Sequence, residues 1–218
     1  MELLKGLEVL CHSSIRISNG KTIYFDPFKV DKEYNDADYI FCTHTHYDHF
    51  SIKDIKKVMN KNTIIIIPSD VKSELSLIGI DQKNIVVVKP NEEYKIGNII
   101  FQTVVAYNKR KLFHPQKKGW VGYIVLSNKV RYYVAGDTDS LPELENIKCD
   151  VALLPVGGMY TMNYKNAAEL VNKIKPKVAI PTHYGSVIGS IKDAESFVEL
   201  IDDKIDTKIL LKPKKEDE

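Results

Sequence analysis

Short hydrophobic blocks separated by turn residues fill the first forty positions and predict a β-rich beginning of the chain. Val9–Cys11, Ser14–Ile17 and Thr22–Phe25 each have the length and composition of a strand. Asn19-Gly20 is a strong hairpin signal, because both residues tolerate the left-handed backbone of a tight turn. Tyr39–Cys42 follows as a further short apolar strand. The opening pattern therefore predicts an antiparallel hairpin that leads into at least one more strand.

Beyond residue 50, helical spacings alternate with further strand-like runs. Apolar residues at helical spacing predict helices after Ser51 and Ser190, another around residues 167–174, and a short one from Ser69 to Leu77. Each of the first two serines is followed three residues later by a carboxylate, which is the spacing of a capping box. The further predicted strands are Ile64–Ile67, Ile85–Val88, Tyr94–Ile96, Ile99–Tyr107, Trp120–Leu126, Val130–Ala135, Val151–Leu154, Val178–Ile180 and Lys208–Leu211.

The order of these elements predicts a layered fold. A mostly β segment and a few helices are followed by a second β segment and more helices, and two sheets flanked by helices would satisfy both. No low-complexity stretch or short repeat interrupts the chain. Residues 1–218 are therefore predicted to form a single domain, with a short polar tail from about residue 212.

Composition limits the possible partners. The formal net charge is only +2, so the overall balance gives no reason to expect nucleic acid or an anionic membrane as a partner. Cys11, Cys42 and Cys149 are an odd number without a CxxC pair, which favours a reducing compartment. The start lacks the pattern of a signal peptide, and the apolar runs are too short to cross a bilayer. We therefore expect a cytoplasmic protein with a small-molecule substrate, and a homo-oligomer is compatible with the sequence.

The segment from Thr43 to His49 is the strongest chemical signal in the chain. Three of the six histidines and one carboxylate, Asp48, lie within it, directly after the strand ending at Cys42. In an extended segment, residues two apart point the same way, so His44 and His46 can converge on one ion. Asp48 and His49 follow after the chain turns and suit a second ion. Imidazole and carboxylate are the ligands that borderline divalent metals prefer.

Other ligand-type residues follow predicted strands elsewhere in the chain. Asp26, Asp137 and His183 each lie where a strand ends, a position held by the scaffold yet open to ligands. His12 gives a weaker signal, since it could pair simply with Asp26 or with a backbone carbonyl. His114 lies in a long polar loop, where a ligand or substrate-facing role competes with a solvated one.

Taken together, these motifs resemble the metallo-β-lactamase-fold hydrolases. The resemblance is carried by His44-x-His46-x-Asp48-His49, Gly136-Asp137-Thr138 and Pro181-Thr182-His183-Tyr184-Gly185, with Asp26-Pro27 and Leu154-Pro155-Val156-Gly157-Gly158 beside them. They are most similar to the small stand-alone branch that includes ascorbate-6-phosphate-lactonase-like proteins. The resemblance implies an α+β fold, a four-layer αββα sandwich, in which two mixed sheets are flanked by helices.

The same resemblance implies a dinuclear metal site, with zinc as the first candidate and iron or manganese as alternatives. It assigns His44 and His46 to the first metal, assigns Asp48, His49 and His183 to the second, and makes Asp137 the bridge. Asp26 would hold the segment from Thr43 to His49, the ligand loop, from behind by hydrogen bonds.

One position departs from the family pattern. Asn108 stands where relatives usually have a third histidine for the first metal. An amide oxygen is a harder and weaker zinc ligand than imidazole. Three alternatives follow: an incomplete first site, a different metal, or recruitment of His114 as the missing ligand.

The function that the resemblance implies is metal-dependent hydrolysis of a small substrate by a metal-bound hydroxide. An ester, a lactone or a phosphoester would fit, with Asp48 orienting the nucleophile or accepting its proton and His114 assisting the leaving group. The cations between Lys109 and Lys118 are usually a solvated surface, but they could guide an anionic substrate. The rivals are a nuclease or phosphodiesterase of the same fold, a non-enzymatic metal-binding domain, and, as the least favoured, a redox di-iron protein.

Overall fold

Two mixed β-sheets form the centre of the computed structural model, which describes residues 2–70 and 79–211. The first sheet contains, in spatial order, β1 (Leu7–Cys11), β2 (Ser14–Asn19), β3 (Lys21–Phe25), β4 (Tyr39–Phe41), β5 (Ile64–Pro68) and β6 (Ile85–Val88). The second contains, in chain order, β7 (Glu93–Ile96), β8 (Ile99–Val105), β9 (Val121–Ser127), β10 (Val130–Val134), β11 (Val151–Pro155), β12 (Val178–Thr182) and β13 (Asp206–Thr207), which are also neighbours in space. The helices are α1 (Ile52–Val58), α2 (Tyr164–Ile174) and α3 (Ile191–Glu199).

Both sheets follow the same plan. β1 to β3 pair antiparallel, and β3 to β6 continue in parallel. β7 to β10 pair antiparallel, and β10 to β13 continue in parallel. The carboxyl ends of parallel strands meet at one edge of a sheet. The loops after β3, β4, β10 and β12 therefore emerge at the edges where the candidate site lies.

Alternation along the parallel strands divides their side chains between two layers. Phe25 and Phe41 point into the core between the sheets, whereas Tyr24 and Ile40 belong to the cluster that packs under α1. The Phe41 ring contacts the Phe101 ring of the second sheet edge to face, at a centroid distance of 5.0 Å. α2 and α3 cover the outer face of the second sheet. This arrangement confirms the predicted αββα sandwich.

The helix starts show why similar sequences are capped differently. α1 begins after Ser51 as predicted, but Asp54 accepts hydrogen bonds from the backbone amides of Lys29 and Val30 instead of closing a capping box. In α3, the Asp193 carboxylate does accept from the Ser190 amide, at 2.7 Å.

None of the described helices is long and apolar enough to span a membrane.

One predicted strand is wrong, and two predictions fall outside the described residues. Lys208–Leu211 is not a strand. The strand that pairs with β12 at this edge is β13, which begins two residues earlier, at Asp206. Leu211 is buried by packing, and its carbonyl accepts a hydrogen bond from the Tyr184 hydroxyl, so its apolar character does not require pairing. Most of the predicted helix from Ser69 to Leu77, and the tail after Leu211, lie outside the described residues.

The position of the core between the sheets predicts that substitutions of two adjacent residues on β8 differ strongly in their effect on stability. Phe101 is 1% exposed and packs between the sheets, whereas Ile100 points outward and is 39% exposed. We expect Phe101→Ala to lower the free energy of unfolding by about 3–5 kcal/mol. Ile100→Ala should cost no more than about 1 kcal/mol. Urea denaturation of both variants measures the difference, and equal losses would contradict this description of the core.

Candidate metal centre

All six histidines of the chain converge at one edge of the two sheets, in two groups of four ligand-type residues. The first cluster contains His44, His46, His114 and Asp137, and the second contains His12, Asp48, His49 and His183. Within each group, one possible ligand atom per residue lies within 4.8 Å of all the others. Every residue of both clusters is buried except His46, which is partly exposed.

The carboxylate of Asp137 lies between the two clusters and contacts both. Its Oδ2 is 3.2 Å from His114 Nε2 and 3.2 Å from His183 Nε2. Its Oδ1 is 3.2 Å from His49 Nε2. The Asp137 side chain is therefore close enough to contact an ion held by either cluster.

Unusual backbone conformations aim several of these side chains. His12, Asp26 and His183 have φ values of 55°, 44° and 58°, in the left-handed region that residues other than glycine seldom adopt. Such conformations cost about 1–3 kcal/mol each and cluster at functional sites. Gly157 gives room for the last of them, because a Cβ there would lie 2.4 Å from the His183 carbonyl oxygen.

Asp26 supports the ligand loop from behind, through three hydrogen bonds of 2.7 Å. Its Oδ1 accepts from the Thr43 amide, and its Oδ2 accepts from the Thr43 hydroxyl and from His49 Nδ1. The Thr43 hydroxyl also lies 2.9 Å from His44 Nδ1. Since the Nδ1 atoms of both histidines are engaged in these bonds, their Nε2 lone pairs are left to face the clusters.

Asn108 plays the corresponding part behind His114. Its Oδ1 lies 3.0 Å from His114 Nδ1, and its Nδ2 donates to Asp139 Oδ1, which fixes the orientation of the amide. The backbone of Asn108 also donates to the His114 carbonyl, at 2.7 Å. The loop folds back on itself between the two residues, so that His114 enters the first cluster and Asn108 does not.

Burial and charge give most of these groups the protonation states of metal ligands. Burial lowers the pKa of His44 well below its ordinary value and lowers the pKa of His12 to about 4, so both imidazoles are neutral. Burial opposes ionisation of Asp48, but His12, whose Nε2 lies 3.3 Å from Asp48 Oδ2, and the charge of His49 outweigh it and lower its pKa to about 2. The pKa of Asp137 is well below its ordinary value, because the nearby His183 and His49 outweigh the effect of burial.

His49 differs from the other histidines. Burial opposes its protonation, but Asp137 and Asp26 raise its pKa well above the ordinary value. A proton and a cation would therefore compete for the same Nε2 lone pair.

The unpartnered atoms of the two clusters fit divalent cations. His12 Nε2, His49 Nε2, His183 Nε2 and Asp137 Oδ1 are buried and have no hydrogen-bond partner among the described residues. Buried polar atoms without a partner are uncommon, because the loss of hydration is not repaid. Imidazole nitrogens and carboxylate oxygens converging in this way can hold metal ions.

Two cavities lined by described residues reach this region, and the smaller of them opens on both clusters. A cavity of about 230 Å³ is lined by His46 and Asp137 of the first cluster, by Asp48 of the second, and by Tyr47, Phe113, Tyr160 and Val187. A larger one, about 700 Å³, runs beside β1 and reaches only His12 among the cluster residues. A substrate that must approach both clusters would occupy the smaller cavity.

Most of the site residues predicted from the sequence are brought together. His12, given only a weak signal, joins the second cluster because its left-handed turn between β1 and β2 directs it inward, and sequence alone does not reveal such a turn. Asp26 contacts His49 from behind, and Asn108 contacts His114 in the same way. The roles of all these residues in ligation and catalysis stay predictions.

Comparisons with known proteins find relatives that share the sequence pattern and the fold. A family model described as a β-lactamase superfamily domain matches residues 7–183. A UPF0173 metal-dependent hydrolase of Archaeoglobus fulgidus is 31% identical, over 94% of this chain and 94% of the relative. Another from Staphylothermus marinus is 32% identical, over 88% and 87%. A crystal structure from Parabacteroides distasonis, described as a candidate metal-dependent hydrolase, is 30% identical with a TM-score of 0.81, over 94% of this chain and 91% of the other.

The hydrogen bonds of Asp26 predict a large effect of its removal on stability. Asp26→Ala leaves the Thr43 amide buried without a partner and leaves His49 Nδ1 only the Thr43 hydroxyl, at 3.4 Å, so we expect the free energy of unfolding to fall by about 3–5 kcal/mol. Asp26→Asn keeps one acceptor oxygen and should lose roughly half as much. Chemical denaturation at a fixed concentration of divalent ion measures both. A loss for Asp26→Ala no larger than that for the exposed Asp203→Ala would contradict the supporting role.

Proposed function

Because the chain belongs to the β-lactamase superfamily and, within it, to the UPF0173 family of metal-dependent hydrolases, we propose that it hydrolyses a small molecule with the help of divalent ions. The observation that carries this proposal is the pair of histidine-rich clusters that share the Asp137 carboxylate beneath an open cavity. Two adjacent cation sites at the floor of a cavity are typical of enzymes that cleave esters and phosphoesters.

The donor atoms support a division of the ligands between two ions. His44, His46 and His114 would hold the first ion, and the second would be held by Asp48, His49 and His183, with His12 beside them. Asp137 would contact both. Such ions, when bound, polarise the scissile group and lower the pKa of a water molecule to about 7. The mixture of nitrogen and oxygen donors favours zinc, with iron and manganese as alternatives.

The chain's own groups would orient the reactants. Hydrolysis adds the hydroxyl of water to the carbonyl carbon or phosphorus and its hydrogen to the leaving oxygen. Asp48 lines the cavity and can accept a hydrogen bond from the attacking water. A carboxylate with a pKa of about 2 holds a transferred proton poorly, so orientation is its better role.

A ligand role for His114 is better supported than assistance to the leaving group. Its side chain is buried, does not line the cavity, and directs Nε2 toward Asp137 and His44. The leaving oxygen would then receive its proton from solvent through the open cavity. On this assignment the first site has three imidazoles, and Asn108 is no sign of a degraded site, which weakens the non-enzymatic alternative.

The nuclease alternative gains no support from the cavity. Neither Lys nor Arg is among the seven residues that line it, although phosphate-binding clefts depend on such cations. A cytoplasmic location and a single domain stay predictions from the sequence, and the oligomeric state stays open.

Metal content and turnover test the proposed function together. We expect elemental analysis to find divalent ions bound to the purified chain, and excess chelator to abolish hydrolysis in a screen of lactones, esters, thioesters and phosphodiesters. Asp137→Ala should lower the rate by more than the roughly 10- to 100-fold that outer groups contribute, because Asp137 contacts both clusters. The exposed Asp203→Ala is the control. Unchanged turnover in Asp137→Ala would refute the mechanism.

The assignment of His114 gives a separate prediction about metal affinity. Asn108→Leu removes the acceptor that orients His114 and should weaken binding of the more loosely held ion by about 10- to 100-fold. Tyr107→Phe is the control on the same loop as Asn108. It removes a side-chain hydrogen bond to Glu143 and should leave the metal affinity unchanged. Competition with a coloured chelator measures both variants. Equal affinities for both would show that Asn108 does not orient a ligand.

A further inference from the structure

Large apolar side chains from four separate loops surround the smaller cavity. They come from the ligand loop after β4, the β8–β9 loop, the loop after β11 and the loop after β12. We call this set the apolar rim; it consists of Tyr47, Leu112, Phe113, Met159, Tyr160 and Val187. Tyr47, Phe113, Tyr160 and Val187 line the cavity itself, and Leu112 and Met159 are their chain neighbours.

The exposure of these side chains is unusual. Tyr47 is 67% exposed, Phe113 51% and Leu112 93%, and Met159 is exposed beside them. These four are half of the large hydrophobic residues that the structure shows exposed in its described part. Single exposed hydrophobic residues need no explanation, but a contiguous group marks a binding surface. The group lies at the entrance to both metal clusters, so a ligand of those clusters is the occupant that the position favours.

Contacts between aromatic rings organise the rim. The Phe113 and Tyr160 rings meet edge to face, with centroids 4.6 Å apart and an interplanar angle of 81°. Tyr47 contacts the buried Phe28 in the same manner, at 5.9 Å. Edge-to-face pairs add about 0.5–1.5 kcal/mol beyond the burial of their surface. The three aromatic side chains of the rim are thus held by neighbouring rings, which lowers the entropy that a ligand must remove to order them.

Lys111, one of the cations between Lys109 and Lys118, is already neutralised by an ion pair with Asp139. The Lys111 ammonium group donates to Asp139 Oδ1 at 3.0 Å and to the Gly158 carbonyl at 3.1 Å, and it also contacts the Thr161 carbonyl. It thereby ties the loop that carries Phe113 to the loop that carries Tyr160. The sequence suggested this segment as a guide for an anionic substrate, but the charge of Lys111 serves to join two loops.

The remaining cations of that segment do not line the cavity either. Lys118 lies 3.7 Å from Asp70 and above the Trp120 ring, and Lys109, Arg110 and Lys117 do not line the cavity. The ionisable residues that do line it are the carboxylates Asp48 and Asp137 and the partly exposed His46, so the lining offers an anion neither Lys nor Arg.

We propose that the apolar rim selects substrates in which the group adjoining the scissile bond is neutral and apolar, such as an aromatic ring or a branched alkyl chain. The inference rests on the proposed function and specifies its substrate class. For an ester, the acyl C–O bond breaks, the hydroxyl of water joins the acyl carbon, and its hydrogen goes to the alkoxy oxygen. No oxidant or other reactant is required.

Matched substrate pairs test this selectivity. For each bond type that is hydrolysed, one aryl substrate carries a methyl group and its partner a carboxylate at the same ring position, for example 3-methylphenyl and 3-carboxyphenyl acetate. We expect kcat/KM, corrected for the uncatalysed rates, to favour the neutral member by about tenfold or more. A preference for the carboxylate would overturn the proposal and leave the hydrolase function standing.

Substitutions in the rim give the second arm of the test. Phe113→Ala and Tyr160→Ala should each lower kcat/KM for the neutral substrate by about tenfold, chiefly through KM, and the anionic partner should lose less. Ile100→Ala, an exposed apolar residue on the outer face of β8, is the matched control. Rim variants that behave like this control would refute the role of the rim.

A binding measurement separates failure of the rim from failure of the hydrolase function. The neutral fluorophore N-phenyl-1-naphthylamine should bind to the metal-loaded chain and to Ile100→Ala, and about tenfold more weakly to Phe113→Ala. If this pattern holds while no bond type is hydrolysed, the proposed function is wrong and apolar recognition stands. If the chain instead co-sediments with phosphatidylcholine vesicles and Phe113→Ala abolishes this, the rim is a membrane surface and the proposal is wrong.

Discussion

The buried carboxylate of Asp137 is the interaction on which the rest of this structure depends. A carboxylate at such depth is costly unless it is surrounded by hydrogen-bond donors or cations. Nitrogens of His49, His114 and His183 lie 3.2 Å from its two oxygens, and they come from three separate loops. Both sheets must therefore present their strand ends at the same edge for this one group to be tolerated. The layered fold is the means of bringing those ends together.

The two sheets contribute to the site in parallel ways. Each supplies a histidine from the loop that joins two antiparallel strands, His12 between β1 and β2 and His114 between β8 and β9. Each then supplies an aspartate after the strand where the pairing changes from antiparallel to parallel, Asp26 one residue after β3 and Asp137 three residues after β10. These two aspartates make different contacts. Asp26 has turned behind the ligand loop to bind Thr43 and His49, whereas Asp137 faces both clusters.

Local signals account for what the sequence predicted well. The hairpins, the buried strands and the histidine motif depend on residues close in the chain, and all of them are present in the structure. His12 and His114 were harder, because their directions depend on a positive φ and on a loop that folds back. The strand predicted at Lys208–Leu211 failed for a similar reason, since tertiary packing satisfied its apolar residues. The apolar rim could not be predicted at all, because its members come from four distant loops.

Ligands and rim residues alternate along the same short segments, which links metal binding to substrate selection. Tyr47 lies between His46 and Asp48, and Phe113 directly precedes His114. These residues lie in turns and bends, where neighbouring side chains leave the backbone in different directions, so one short segment can supply both a ligand and a wall of the cavity. Excluding water with apolar walls also strengthens the electrostatic action of ions and carboxylates at the floor. A displacement of Phe113 would therefore move His114 as well, and the Lys111 tie between the loops restrains both.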